Sequence, residues 1–309
     1  MLSRLRPLRV ASLVAVAGTA LASLALAPSP AGAQGRQRAM YVNVLDKDGK
    51  PVPDVKPEDL SVREDGAVRE VLTVAPATEP LQITLLIDNS AAASRIVSQL
   101  RDALKQFVTK VATGDHEISI VTLGDRPTLV VDVTTDPHKL IKNGVERLFS
   151  QPGSGMYLLD ALLDTTKGIR KRESTHPVIV SVTTEGVEFS NDHYERVLEA
   201  LRDSGAMYYA LVLTDGPDPD QRREETRNRN IVFDRGTNET GGSREILLSE
   251  MSLEPALTKL ANELLHQYKV TYGRPETMIP PRKVTVEAKA ANLTARGVVV
   301  PERRSNPSR

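Results

Sequence analysis

The stretch Leu81-Gln82-Ile83-Thr84-Leu85-Leu86-Ile87-Asp88-Asn89-Ser90 is a near-continuous apolar run that ends on three polar residues. A strand covered on both faces has this character, whereas a strand with one wet face alternates. The period then changes: Ile96, Val97, Leu100, Leu104, Phe107, Val108 and Val111 fall on one side of a helix. Residues 118–123 and 128–133 read as strands joined through Gly124-Asp125, and 137–148 as a helix. Leu158, Leu159, Leu162, Leu163 and Ile169 mark the inner face of another helix. A buried strand at 178–182, a helix at 194–201 and a second buried strand at 207–213 follow. A helix carrying Leu253, Leu257, Leu260, Ala261, Leu264 and Leu265 runs into a last short strand at 268–272. Strands alternating with amphipathic helices predict an α/β fold, a doubly wound and mostly parallel sheet with helices on both faces.

Outward from this domain, placed at 79–273, the character differs. Residues 34–78 form a small N-terminal β segment with hairpin-type dipeptides at Asp48-Gly49 and Asp65-Gly66. Residues 274–309 form a C-terminal β extension, with 284–288 and 293–300 read as a pair, and a polar tail. Within the domain, 215–245 reads as a long charged loop, because Pro217, Pro219, Gly236, Gly241 and Gly242 sit among dense charge. Asp215, Asp218 and Asp220 there lack the glycine and glutamate spacing of a calcium loop and are read as solvated.

Residues 1–33 have the pattern of a secretory signal peptide. Arg4, Arg6 and Arg9 are basic, 10–27 carries no charge, and Ala31-Gly32-Ala33 fits a cleavage site before Gln34. The expectation is an exported protein, periplasmic or secreted, attached to a membrane only if this segment stays uncleaved. Lys plus Arg and Asp plus Glu are equal at 40 each, so no strong field points to nucleic acid. Cysteine is absent, which excludes disulfides, thiolate metal sites and cysteine nucleophiles. Tryptophan is absent and aromatics are 4%, which argues against extensive stacking sites for sugars or bases. Enzyme motifs are missing too. His116, His138, His176, His193 and His266 are scattered, and there is no phosphate loop and no serine elbow after a strand.

Ligands of open α/β sheets bind at the carboxyl ends of the strands. Three polar segments fall there: Asp88-Asn89-Ser90, the loop Gln151-Pro152-Gly153-Ser154-Gly155-Met156, and Thr184-Glu185-Gly186. With these residues the chain resembles the von Willebrand factor type A domains, most nearly the exported bacterial group called VWFA-related. The likeness spans roughly 81–272, and Asp46-Lys47-Asp48-Gly49-Lys50-Pro51 and Val62-Arg63-Glu64-Asp65-Gly66 resemble that group's leader. The resemblance implies a magnesium site built from an Asp-x-Ser-x-Ser strand end, a threonine in a second loop and the aspartate of a Thr-Asp-Gly turn. An open position on that ion takes a partner's carboxylate.

Asp88 and Ser90 match the first motif, but its second serine is Ala92. Gly155, Leu158, Asp160 and Ala161 match the second loop, where the threonine is Met156. In the third loop Glu185 stands for the aspartate. Thr214-Asp215-Gly216 matches that turn by letter but ends the wrong strand. The resemblance therefore implies a degenerate site of Asp88, Ser90 and Glu185, with no cofactor or only weakly bound magnesium. Alternatively, these residues only tie loops and cap helices. The expected function is a metal-independent protein-binding module for a partner in the cell envelope or outside the cell, not an enzyme. Its expected face is Asn89, Ala92, Ser154, Met156 and Gly186, with Met156 as an adaptable apolar contact. A magnesium-dependent adhesin with an atypical site, and a hydrolase using Ser90 or Ser154, are the other readings.

Overall fold

A computed structural model describes residues 36–214, 223–275, 279 and 281–301. These belong to one compact unit, Gly35–Arg309. The expected signal segment, and Asp215, Asp218 and Asp220, lie outside the described residues.

In chain order the strands begin with β1 (Arg36–Asp46), β2 (Leu60–Glu64), β3 (Ala67–Arg69), β4 (Val71–Pro76) and β5 (Gln82–Ile87). Helix α1 (Val97–Val111), β6 (Glu117–Thr122), β7 (Thr128–Thr134) and the short α2 (Pro137–Lys139) follow. Next come α3 (Leu158–Lys171), β8 (Pro177–Thr184), α4 (Tyr194–Ser204) and β9 (Met207–Leu213). The chain continues through α5 (Glu224–Ile231), α6 (Thr237–Glu239), β10 (Arg244–Leu247) and α7 (Leu253–Leu265). It closes with β11 (Tyr268–Arg274), β12 (Val284–Ala288) and β13 (Leu293–Val299).

The central sheet has the order β10-β9-β8-β5-β6-β7 and is parallel except for β7. Successive strand residues alternate between its two apolar clusters. Ile83, Leu85 and Ile87 face α1 and α7, with Leu104, Phe107, Leu257 and Leu264. Leu86, Ile179 and Tyr208 face α3 and α4, with Leu159, Leu162, Val197 and Leu201. Each such side chain is worth about 1.5–3 kcal/mol of transfer free energy, so the amphipathic helices are held by the sheet they cover. The register pairs Ile87 with Val182, Thr184 with Leu213 and Leu213 with Leu247. The polar residues that follow these strands are thereby brought to one edge.

The flanking segments do not behave as separate appendages. β1 lies inside a sheet of order β13-β1-β11-β4, and β12-β2-β3 makes a third sheet. Their shared core holds Met40, Val42, Val44, Leu60, Val62, Val270, Tyr272 and Val286. Strands 284–288 and 293–300, expected as a pair, instead join β2 and β1 respectively. The 268–272 strand does not enter the parallel sheet; it pairs antiparallel with β1 and β4. Its burial alternates residue by residue, as one covered face requires. After Asp65-Gly66 the N-terminal segment makes two strands, β3 and β4, in different sheets. The expected helix at 137–148 is irregular, passing from α2 through a π turn, 140–144, to a 3-10 turn, 145–147.

Over its described part, from 223 onward, the expected loop at 215–245 is corrected by an ordered run. α5, a π turn at 232–236 and α6 are continuous, and β10 follows as the sheet's edge strand. Dense charge hid the anchors: Val232 and Phe233 are fully buried against α4.

Candidate functional site

Asp88 leaves the end of β5 and is 1% exposed. Its Oδ1 accepts the Ser90 N–H at 2.8 Å. Its Oδ2 accepts the Thr184 N–H at 3.0 Å and the Thr184 hydroxyl. Three donors thus fix the carboxylate between the β5 and β8 loops. Asn89 joins the second loop: its Nδ2 donates to the Phe149 carbonyl at 3.2 Å and its Oδ1 accepts the Gly124 N–H at 2.7 Å. Its carbonyl takes the Gln151 N–H at 2.8 Å, and the Ala91 N–H donates to the Ser154 carbonyl at 3.3 Å. Gly186 closes the ring of loops. A Cβ there would lie 2.9 Å from the Ala92 Cβ and 3.5 Å from the Ser90 Oγ, so this close approach needs glycine. The three loops anticipated at the strand ends meet.

Their side chains are disposed unevenly. Ala92 is exposed, while Ser154 and Gly186 are half-buried. The Ser154 hydroxyl donates to the Gln151 carbonyl at 2.8 Å. Asn89 is buried and serves as a latch beneath the rim. Met156 does not offer the expected apolar contact. It is 0% exposed, because its backbone bridges to Gly124 and Glu188 and turns the side chain into the cluster of Leu86, Leu123 and Leu159. Glu185 is half-buried, and its Oε2 accepts the hydroxyl of Thr214 at the end of β9.

Thr184, read from the sequence only as part of a strand end, bridges to Asp88. Three further residues that matter here escaped the sequence reading. Glu188, fully buried, accepts the N–H of Leu158 at 3.1 Å and that of Ser190 at 3.1 Å. Burial pushes its carboxyl up from the ordinary 4.5 to about 7, against hydrogen bonds and the Arg229 charge that pull it down. The Ser190 hydroxyl accepts the N–H of Asp160, so the loop after β8 caps the start of α3. Arg229, 1% exposed, donates from a guanidinium nitrogen to the Gly186 carbonyl at 2.6 Å. The apolar Ile231, Val232 and Phe233 amid charge were the only local signal for that segment.

The residues present do not fit a magnesium ion, which requires near-octahedral oxygen coordination at about 2.0–2.1 Å. Both oxygens of Asp88 are engaged by the protein, Met156 is buried among apolar side chains, and Glu185 is bonded to Thr214. Among the described residues, no three His, Asp or Glu side chains gather as a metal cluster. The buried Ser90 hydroxyl, 1% exposed, has no hydrogen-bond partner among the described residues.

Beside the rim opens a cleft of about 180 Å³, walled by Ala92, Arg95, Ile96, Thr184, Glu185, Leu213, Thr214, Leu248, Ser249 and Glu250.

No family profile and no curated protein matches the chain in sequence. Solved structures do match in shape. A von Willebrand factor type A protein from Catenulispora acidiphila is 12% identical, with a TM-score of 0.50 over 87% of this chain and 75% of that one. The open conformation of the pilus adhesin SpaC from Lactobacillus rhamnosus GG is 11% identical, at a TM-score of 0.49 over 85% of this chain and 47% of that one. BatB from Bacteroides thetaiotaomicron is 11% identical, at 0.43 over 59% of this chain and 98% of that one. At these identities the likeness concerns the fold.

Proposed function

Proceeding from a von Willebrand factor type A fold, we propose that this chain is a non-catalytic protein-interaction module that binds its partner without a metal ion. The binding face is the rim at the carboxyl ends of β5 and β8. One observation carries this reading: apart from the Ser90 hydroxyl, the buried polar groups of Asp88, Asn89 and Thr184 are spent within the converging loops, while Ala92, Phe149 and Phe189 stay exposed around them. Phe149 and Phe189 are 64% and 42% exposed, which is unusual for large aromatics and is a mark of contact surfaces. With the leader-like N-terminus, the partner is a protein of the cell envelope or the exterior, and nucleic acid is not a partner.

Catalysis has no support at either serine. The Ser90 hydroxyl has no partner among the described residues, and that of Ser154 is bonded to a backbone carbonyl, so neither meets a base. The magnesium-dependent reading is favoured by the unpartnered Ser90 hydroxyl alone. Capture from envelope fractions with the chain from Gln34 as bait tests the proposal. Capture should persist in a chelator and be lost in Phe189→Asp. A calorimetric magnesium or manganese isotherm that Asp88→Ala abolishes would replace it with the metal-dependent reading.

A further inference from the structure

We propose that the cleft beside the rim receives a lysine or arginine side chain of the protein partner, with an apolar neighbour of that residue resting on Leu248 and Met251. This inference rests on the rim being a protein-binding face and names the chemistry that the face accepts.

Size comes first. At about 180 Å³ the cleft falls below the roughly 300 Å³ at which small-molecule sites begin. It has room for one side chain. Its walls are of two kinds: Ala92, Ile96, Leu213 and Leu248 are apolar, whereas Thr184, Glu185, Thr214, Ser249 and Glu250 offer oxygen. A long basic side chain matches that division, since its stem lies on apolar surface and its head seeks acceptors. Arg95 shares the wall but has partners of its own.

An independent observation points the same way. The Ser90 hydroxyl is 1% exposed and has no partner among the described residues. It lies 3.5 Å from the Cβ position that Gly186 leaves vacant, in a notch bounded by Ala92 and Thr184, both of which line the cleft. Ammonium and guanidinium heads carry only donors, which is what an unused hydroxyl oxygen and two carboxylates can accept. With no metal fitting there, the two carboxylates Glu185 and Glu250 outnumber the one cation of the wall, Arg95, and a partner carboxylate is disfavoured. Leu248 and Met251, each 81% exposed, stand beside Glu250 as a bare apolar shelf.

The test is an amide NMR titration of the chain from Gln34 with two capped tripeptides, acetyl-Leu-Lys-Leu-amide and acetyl-Leu-Glu-Leu-amide. The lysine peptide should shift the amides of Ala92, Glu185, Thr214 and Ser249, and the glutamate peptide should not. Glu185→Gln with Glu250→Gln should weaken the lysine peptide about fivefold or more without moving the thermal midpoint. Equal response to both peptides, no response to either, or an unchanged affinity in the double variant overturns the inference. Partner capture separates the two levels. If capture is lost in Phe189→Asp yet survives the double variant, the rim reading stands and the cation cleft falls; if capture ignores Phe189→Asp, the rim reading itself falls.

Discussion

The carboxylate of Glu188 accepts the backbone N–H of Leu158, the first residue of α3, at 3.1 Å, although thirty positions separate them. The helix that carries the second loop is therefore capped by the loop after β8, and the two move as one piece. The other oxygen of Glu188 has no partner among the described residues.

This relationship predicts a pH effect. Burial raises the Glu188 carboxyl to about 7 in the folded chain, above its ordinary 4.5. Between those values the folded state holds a proton that the unfolded state has lost. Its stabilising contribution is full below 4.5 and is lost as pH rises through about 7. Glu188→Gln should remove this slope, so that thermal midpoints at pH 5 and pH 8 lie closer together than in the parent. An unchanged difference would show that Glu188 does not titrate there.

His176 predicts the opposite limb. It is buried, its ring stacks on Tyr41 at 3.5 Å, and its Nε2 lies 2.6 Å from the Gln267 Oε1. Burial lowers its pKa below the ordinary 6.5. The unfolded chain takes up a proton first as pH falls, so stability held above 6.5 is lost on acidification toward the folded value. His176→Gln should flatten the acid side of the stability profile in denaturant melts, and an unaltered acid limb would count against it.

Met156→Thr should cost about 2–4 kcal/mol, because it removes a buried side chain and leaves a hydroxyl among Leu86, Leu123 and Leu159. Denaturant unfolding measures this. Adding Ala92→Ser and Glu185→Asp restores the donor types of the resembled metal site, but the threonine hydroxyl would face the apolar cluster and not the rim, so calorimetry should show no gain in magnesium affinity over the parent. A clear gain would mean that the side chain at 156 turns outward.

Arg229→Met should cost about 2–3 kcal/mol by removing a buried charged donor from the Gly186 carbonyl. Arg229→Lys should recover little, since a single ammonium cannot reproduce the fork of a guanidinium. Amide exchange across 184–188 should speed up in both variants. Protection equal to the parent would show that the loop stands without this contact.

Ala92→Arg should leave the unfolding free energy within about 0.5 kcal/mol of the parent, as for an ordinary exposed position, and abolish partner capture by filling the rim. Capture at the parent level would move the binding face elsewhere.

How much of this was legible beforehand depended on the range of the interaction. The parallel sheet could be read from Leu81 to Ser90 onward, because burial on both faces imposes a local composition. Strand ends followed from the same pattern, so Asp88, Ser90, Glu185 and Gly186 were found at one edge before their distances were known. The pairing of Arg36 with Arg274 and of Met40 with Val299 left no local trace, since any alternating segment could have met any other. That is why the flanking segments were parted in the reading and share a core in the structure. The α5 to β10 run was hidden for a related reason: its charge is local, whereas the cover over Val232 and Phe233 comes from α4.

By itself, then, the sequence determined the layer architecture, the edge at which the polar loop residues collect, and where the chain departs from the resembled metal motif. Only the tertiary structure decided that Met156 points inward, that Glu188 and Arg229 brace the rim, and that a cleft lies beside it. Composition and period are properties of neighbours in the chain, but the direction of a side chain in a loop is set by the distant backbone it bridges.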